Sequence, residues 1–182
     1  MEIQDVLNKI VLWNTNELIT QLPDHCVDLI LTDPPYKLQS GGWDFKKDRK
    51  YLQEVSDQAQ FCDGIDGNFL NECKRVLKRF NGYFFCNKHQ VKQYLDFAYE
   101  NGYVFDILVL CKTNPSPLCN NVYLPDTEYI IFIKEKGVKL NTTYHTGSRF
   151  WVRSVYKNKF DHPTVKDTTV LERMIVNSSN EG

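Results

Sequence analysis

A chain of 182 residues, 42% hydrophobic and 25% charged, has the composition of one globular domain with room for a real core. Its net charge of −1 excludes a polycation that grips nucleic acid through bulk charge, so any phosphate contact must come from a local basic stripe. No apolar run approaches the ~20 residues of a membrane span. The first residues lack a basic-then-apolar leader, and a soluble cytoplasmic protein is expected.

In chain order, Lys9–Trp13 predicts a short strand. Asn14 or Thr15 can cap a brief helix that ends before Pro23. Val27–Thr32 is a largely apolar run of the kind buried in a parallel sheet. From Phe69 to Phe80 the residues Phe69, Leu70, Cys73, Val76, Leu77 and Phe80 fall on one helical face, with Asn81-Gly82 as the expected stop. Gly82–Cys86 reads as a strand. His89–Glu100 repeats the helical pattern through Val91, Tyr94, Leu95 and Ala98 and closes at Asn101-Gly102. Tyr103–Leu110 and Thr127–Lys134 are rich in aromatic and branched residues and predict strands. Thr164 and Asp167 have capping-box spacing ahead of a last helix that buries Val170, Leu171, Met174 and Ile175.

Strands separated by helical stretches predict one α/β domain, an open and mostly parallel sheet with helices on both faces. Such sheets place ligands just beyond the carboxyl ends of their strands. The six cysteines, Cys26, Cys62, Cys73, Cys86, Cys111 and Cys119, form no Cys-x-x-Cys pair and read as reduced thiols, with no metal site expected.

Directly after the Val27–Thr32 run stands Asp33-Pro34-Pro35-Tyr36. Two prolines alone make a stiff turn. They do not explain an acid before them and an aromatic after them. Chemistry on an exocyclic amino group of a nucleobase explains all four. That nitrogen is a poor nucleophile because its lone pair is delocalised into the ring. A carboxylate (Asp33) and a rigid backbone carbonyl (Pro34), both accepting from the NH2, favour the pyramidal form that can attack an activated methyl group. Tyr36 offers a flat face for a base that has left the duplex.

The stretch Leu22–Tyr36 is similar to the catalytic region of DNA amino-methyltransferases, and Cys73-Lys74-Arg75-Val76-Leu77-Lys78 with Asn81-Gly82-Tyr83-Phe84-Phe85 resembles that family's following helix and strand. His162-Pro163-Thr164-x-Lys166 resembles the box that lines its S-adenosylmethionine site. The order, with Asp-Pro-Pro-Tyr early and this box late, is that of the permuted beta class. The resemblance implies a Rossmann-like catalytic domain over residues 1–182, with S-adenosylmethionine as cofactor and double-stranded DNA with a flipped adenine as substrate. It implies Asp33, Pro34, Pro35 and Tyr36 at the reacting base, and Asn14, Asp33, His162, Thr164 and Lys166 toward the cofactor. Asn14 stands where the family usually carries an acid, and Asp167 where it carries a proline.

Residues 137–160 would be a small target-recognition insert, mixing Arg149, Arg153 and Lys157 with Tyr144, Phe150, Trp151, Tyr156 and Phe160. Lys46 and Lys47 form a second basic candidate for DNA contact. The Phe-x-Gly-x-Gly cofactor loop of the class is not found in the 182 residues. By family analogy its strand neighbours the one bearing Asp33, so an open sheet edge is expected there: either further chain completes it, or a homodimer mate or another partner does, or the chain is a degenerate remnant. Three alternatives stay open: a non-catalytic DNA-binding or assembly protein derived from the family, a cytosine-N4 enzyme, and an RNA or protein amino-methyltransferase.

Overall fold

The computed structural model describes residues 2–36, 65, 67–115, 123–154 and 165–180. After a short 3-10 turn at Ile3–Asp5, its elements are α1 (Thr15–Gln21), β1 (Ile30–Thr32), α2 (Gly67–Val76), β2 (Asn81–Cys86) and α3 (Val91–Glu100). Then follow β3 (Val104–Lys112), β4 (Thr127–Lys134), β5 (Phe150–Arg153) and α4 (Thr168–Ser178). The five strands make one sheet in the order β1-β2-β4-β3-β5. β1 is parallel to β2 and β3 to β5, while β4 runs against both β2 and β3. All strands but β4 therefore point the same way.

Side-chain alternation along the strands splits the core into two layers. Phe84 and Cys86 of β2 and Ile131 and Ile133 of β4 face Ile19, Leu70, Cys73, Val76, Tyr94 and Ala98 of the first three helices. Tyr83 and Phe85, with Ile130 and Phe132, face Val170 and Met174 of α4 and Trp151 of β5. Helices thus cover both faces. Gly82 has no room for a side chain, since a Cβ there would lie 2.9 Å from the Phe84 ring. Among the described residues β1 pairs with β2 alone. An apolar groove of about 310 Å³, lined by Leu18, Ile19, Leu22, Ile30 and Phe69, runs beside it.

Four local expectations need correction. Lys9–Trp13 is not a strand: among the described residues no strand offers it a ladder, and Ile10 and Leu12 are fully exposed. The Val27–Thr32 run contributes only Ile30–Thr32 to the sheet, with Val27 making an isolated bridge to Leu77. That bridge also ends α2 at Val76, four residues before Phe80. The Val76 carbonyl, left over at the helix end, accepts from the N–H groups of Cys26 and Val27, and Lys78 N–H donates to Val27. Asn81-Gly82 accordingly opens β2 instead of stopping a helix. The capping-box spacing from Thr164 does not describe the start of α4, whose N-cap is Asp167, accepting from the Thr169 N–H at 2.9 Å.

Two further differences stand out: Phe150–Arg153, read in the sequence only as part of a recognition insert, joins the sheet as β5, and Ile175, expected on the buried face of the last helix, is 46% exposed. Other elements lie close to the predicted positions. Asn14 caps α1, its side-chain oxygen accepting from Asn16 N–H at 3.0 Å. Gly102, at φ +65°, closes α3 in the left-handed region that a residue with a Cβ avoids. Thr127–Lys134 is β4 with the expected bounds.

Candidate active site

Asp33 is the first residue past β1, at the strand's carboxyl end. Because β4 is reversed, its first residues lie at this same end of the sheet. Cys86, the last residue of β2, pairs with Tyr129, and Thr32 pairs with Phe84. Glu128, one residue before Tyr129, shares the face of Ile130, Phe132 and α4 by strand alternation. Lys166 enters that face from the segment leading into α4, which the Asp167 cap and the burial of Val170 and Met174 hold down.

Four polar groups meet here. The Tyr36 hydroxyl donates to Glu128 Oε1 at 2.9 Å. Lys166 Nζ donates to the Tyr36 hydroxyl at 3.0 Å, bonds Glu128 Oε1 directly, and lies 3.3 Å from Asp33 Oδ2. The same ammonium sits over two aromatic faces, 5.2 Å from the Tyr36 ring centre and 4.8 Å from that of Phe85. From the other side, the buried Gln90 donates its Nε2 to the Pro35 carbonyl at 3.0 Å. Pro34 is buried, and its ring fixes φ.

The electrostatics follow from this packing. The Glu128 and Lys166 side chains are 11% and 15% exposed, against 37% for Asp33, so solvent reaches Asp33 best. Burial, the largest single effect, pushes the Glu128 carboxyl up, but the Lys166 ammonium, joined by Lys112 and the Tyr36 hydrogen bond, outweighs it and holds Glu128 below the ordinary carboxylate value. Burial, followed by the Glu128 and Asp33 charges, pushes the Tyr36 hydroxyl well above its ordinary value, so it stays a neutral donor. The four groups themselves, with two carboxylates and one ammonium, carry a net negative charge beside two ring faces, and the Lys112 ammonium also acts on Glu128 from nearby. Such a place suits a cationic or partly cationic guest.

The other sequence-predicted residues stand apart from this cluster or outside the description. Asn14 is engaged as the α1 cap. Arg149 Nη1 pairs with Asp106 at 2.9 Å, and Arg153 Nε lies 3.3 Å from Asp167. Lys46, Lys47, Lys157, His162 and Thr164 lie outside the described residues. Sequence reasoning missed Glu128 and Gln90. An ionisable residue opening an otherwise apolar strand was the one available signal for Glu128. Gln90 gave no signal. Among the described residues no group of three or more His, Cys, Asp or Glu side chains could hold a metal, and no helix is long and apolar enough to cross a membrane.

Comparison with known proteins bears on the same residues. The Type II methyltransferase M.HinfI of Haemophilus influenzae is 30% identical over 128 residues, covering 63% of this chain and 34% of that protein. M.BamHI of Bacillus amyloliquefaciens is 25% identical over 211 aligned positions, 97% of this chain and 48% of that protein. The chain thus spans about half or less of the length of these relatives. The solved structure of a candidate DNA modification methylase from Thermus thermophilus, complexed with S-adenosyl-L-methionine, superposes with a TM-score of 0.50 at 13% identity, covering 88% of this chain and 71% of that one. At that identity it shows the shared Rossmann-like α/β fold alone. The model of the DNA methylase family (N6_N4_Mtase) matches residues 27–182, a span that holds Asp33, Tyr36, Gln90, Glu128 and Lys166, and the chain belongs to that family.

Proposed function

We propose that this chain carries the base-binding site of a site-specific DNA methyltransferase that moves a methyl group from S-adenosylmethionine to the N6 amino group of a flipped adenine. The observation that carries the reading is Asp33 at the carboxyl end of β1, on a turn braced by Gln90 behind and Glu128 beside it. A doubly braced Asp-Pro-Pro-Tyr turn is an expensive way to end a strand unless its orientation matters.

The residues present fit the donor. Tyr36 and Phe85 already flank an ammonium in a net-negative setting, and a sulfonium asks for the same surroundings. When bound, S-adenosylmethionine supplies an electrophilic methyl group. The chain's own residues do the rest. Asp33 and the Pro34 carbonyl accept the two amino hydrogens and favour a pyramidal nitrogen. Tyr36, its hydroxyl tied to Glu128, holds a ring plane for stacking. Asp33, the most exposed group of the cluster, can pass to water the proton that the alkylated nitrogen sheds. Arg149 and Arg153, with the basic residues near Lys46, Lys47 and Lys157, supply phosphate contacts. Asn14, His162 and Thr164 serve the cofactor side.

The test is tritium transfer from labelled S-adenosylmethionine to unmethylated duplex DNA. Asp33→Ala should abolish it while the circular dichroism spectrum stays that of the parent. Undiminished transfer by that variant would refute the reading. A non-catalytic DNA-binding role has one observation in its favour, the Lys166 ammonium already resting on Asp33. It predicts DNA binding with no calorimetric signal for S-adenosylmethionine.

A further inference from the structure

We propose that Glu128 is a positioning residue of this site, holding the Lys166 ammonium back from Asp33 and seating the Tyr36 hydroxyl so that Asp33 keeps lone pairs for the incoming amino group. This rests on Asp33 being the carboxylate that receives the base.

Lys166 has two carboxylates within reach and is shared unequally between them. It bonds Glu128 directly and stands 3.3 Å from Asp33 Oδ2. Glu128 is also the more buried of the two, where an ion pair is screened least. Its Oε1 accepts from both the Tyr36 hydroxyl and Lys166, and those two donors contact each other, closing a three-membered ring of hydrogen bonds. The ring fixes the Tyr36 plane through its far end while the Gln90 bond to Pro35 fixes the near end.

Charge explains why a carboxylate is needed at position 128. A base amino group is a weak competitor for Asp33 beside a full ammonium ion. With Glu128 ionised, Lys166 has a better partner and can leave Asp33 when the base arrives. With a neutral side chain there, Asp33 becomes the ammonium's only nearby counter-charge in the cluster. Lys166 then closes on the oxygens the substrate must use. A structural salt bridge alone would make every loss of the pair equally harmful. The positioning role instead makes the lysine harmful once Glu128 is neutralised.

The full chain is compared as parent, Glu128→Gln, Lys166→Met and the double variant, with Asp33→Ala as the reference for the underlying reading. Glu128→Gln should slow methyl transfer by at least about tenfold, the scale of one lost charge-assisted contact. Lys166→Met carries its own loss, since the lysine belongs to the site. The readout is therefore the cost of Glu128→Gln in each background: about tenfold or more with Lys166 present and little in the Lys166→Met background. A Glu128→Gln protein as fast as the parent, or the same Glu128→Gln loss in the Lys166→Met background, overturns the proposal. A folding arm reads the same competition without catalysis. In urea unfolding, Glu128→Gln should lower the folding constant more in an Asp33→Asn background than in the parent, because Asp33 is the fallback partner of Lys166. Equal losses in both backgrounds overturn the proposal. Parent and Asp33→Ala proteins with equal transfer would instead remove the underlying reading, and the folding arm would still report whether Glu128 holds the lysine.

Discussion

Gln90 and Pro35 are joined by a hydrogen bond that braces the Asp-Pro-Pro-Tyr turn from behind: the glutamine, 2% exposed at the start of α3, donates its Nε2 to the proline carbonyl at 3.0 Å. Proline rings fix φ but leave ψ free, and this bond fixes the following peptide plane. Gln90→Leu keeps the volume and strands the carbonyl. It should cost about 1–2 kcal/mol in urea unfolding. It should also reduce methyl transfer beyond what the residual folded fraction explains. Parent-like transfer would mean that the prolines alone hold the turn.

Arg75 staples α1 to α2. Its guanidinium donates to the carbonyls of Ile19 and Leu22 at 2.7 Å each and bonds the Asp24 and Glu72 carboxylates. Both carbonyls lie at the end of α1: a further turn of helix is lacking to satisfy Leu22, and Ile19 otherwise accepts a long bond from the Leu22 N–H at 3.3 Å. Arg75→Met should lower stability by about 2 kcal/mol, and Arg75→Lys should restore little, since one ammonium cannot serve four acceptors in a planar fork. Equal stability of the lysine variant and the parent in a urea titration would contradict the staple.

Glu128 ties stability to acidity. Its folded pKa is depressed by Lys166, so its contribution is present above the ordinary value of 4.5 and is lost as pH falls through the lower folded value. Glu128→Gln should therefore flatten the loss of stability that sets in as pH falls below 4.5, read from urea midpoints at each pH. An unchanged slope would place the acid sensitivity elsewhere.

Tyr36 does the same at the alkaline end with the opposite sign. Its folded pKa lies above the unfolded value of 10.0, so its contribution is complete below that value and declines as pH rises beyond it. Tyr36→Phe should lessen the alkaline loss of stability, again read from urea midpoints. It should leave ring stacking intact while weakening the hold on Glu128.

These residues differ in how far the sequence exposes them. The strand at Thr127–Lys134 and the helix through Val91, Tyr94 and Ala98 are legible because period and composition agree over their whole length. Lys9–Trp13 has strand composition, but composition supplies no hydrogen-bonding partner, and the segment stays exposed. The face from Phe69 to Phe80 outlasts its helix because Leu77 and Phe80 are buried by tertiary contacts after the chain has turned to meet Val27. Asp33 and Tyr36 are readable from their chemistry at a strand end. Glu128 and Gln90 become site residues only once β4 reverses and α3 packs behind the turn, relationships that span 92 and 55 positions of chain. Lys166 enters through family resemblance, but its contacts with Glu128 and Asp33 become visible only in the fold.

The most direct measurement is the identity of the modified nucleoside. Unmethylated DNA is incubated with the protein and S-adenosylmethionine, digested, and analysed by mass spectrometry beside an Asp33→Asn control. The parent should yield N6-methyldeoxyadenosine and the control none. Methylated deoxycytidine would move the substrate assignment to N4. An undiminished yield from the Asp33→Asn protein would contradict the role given to that carboxylate.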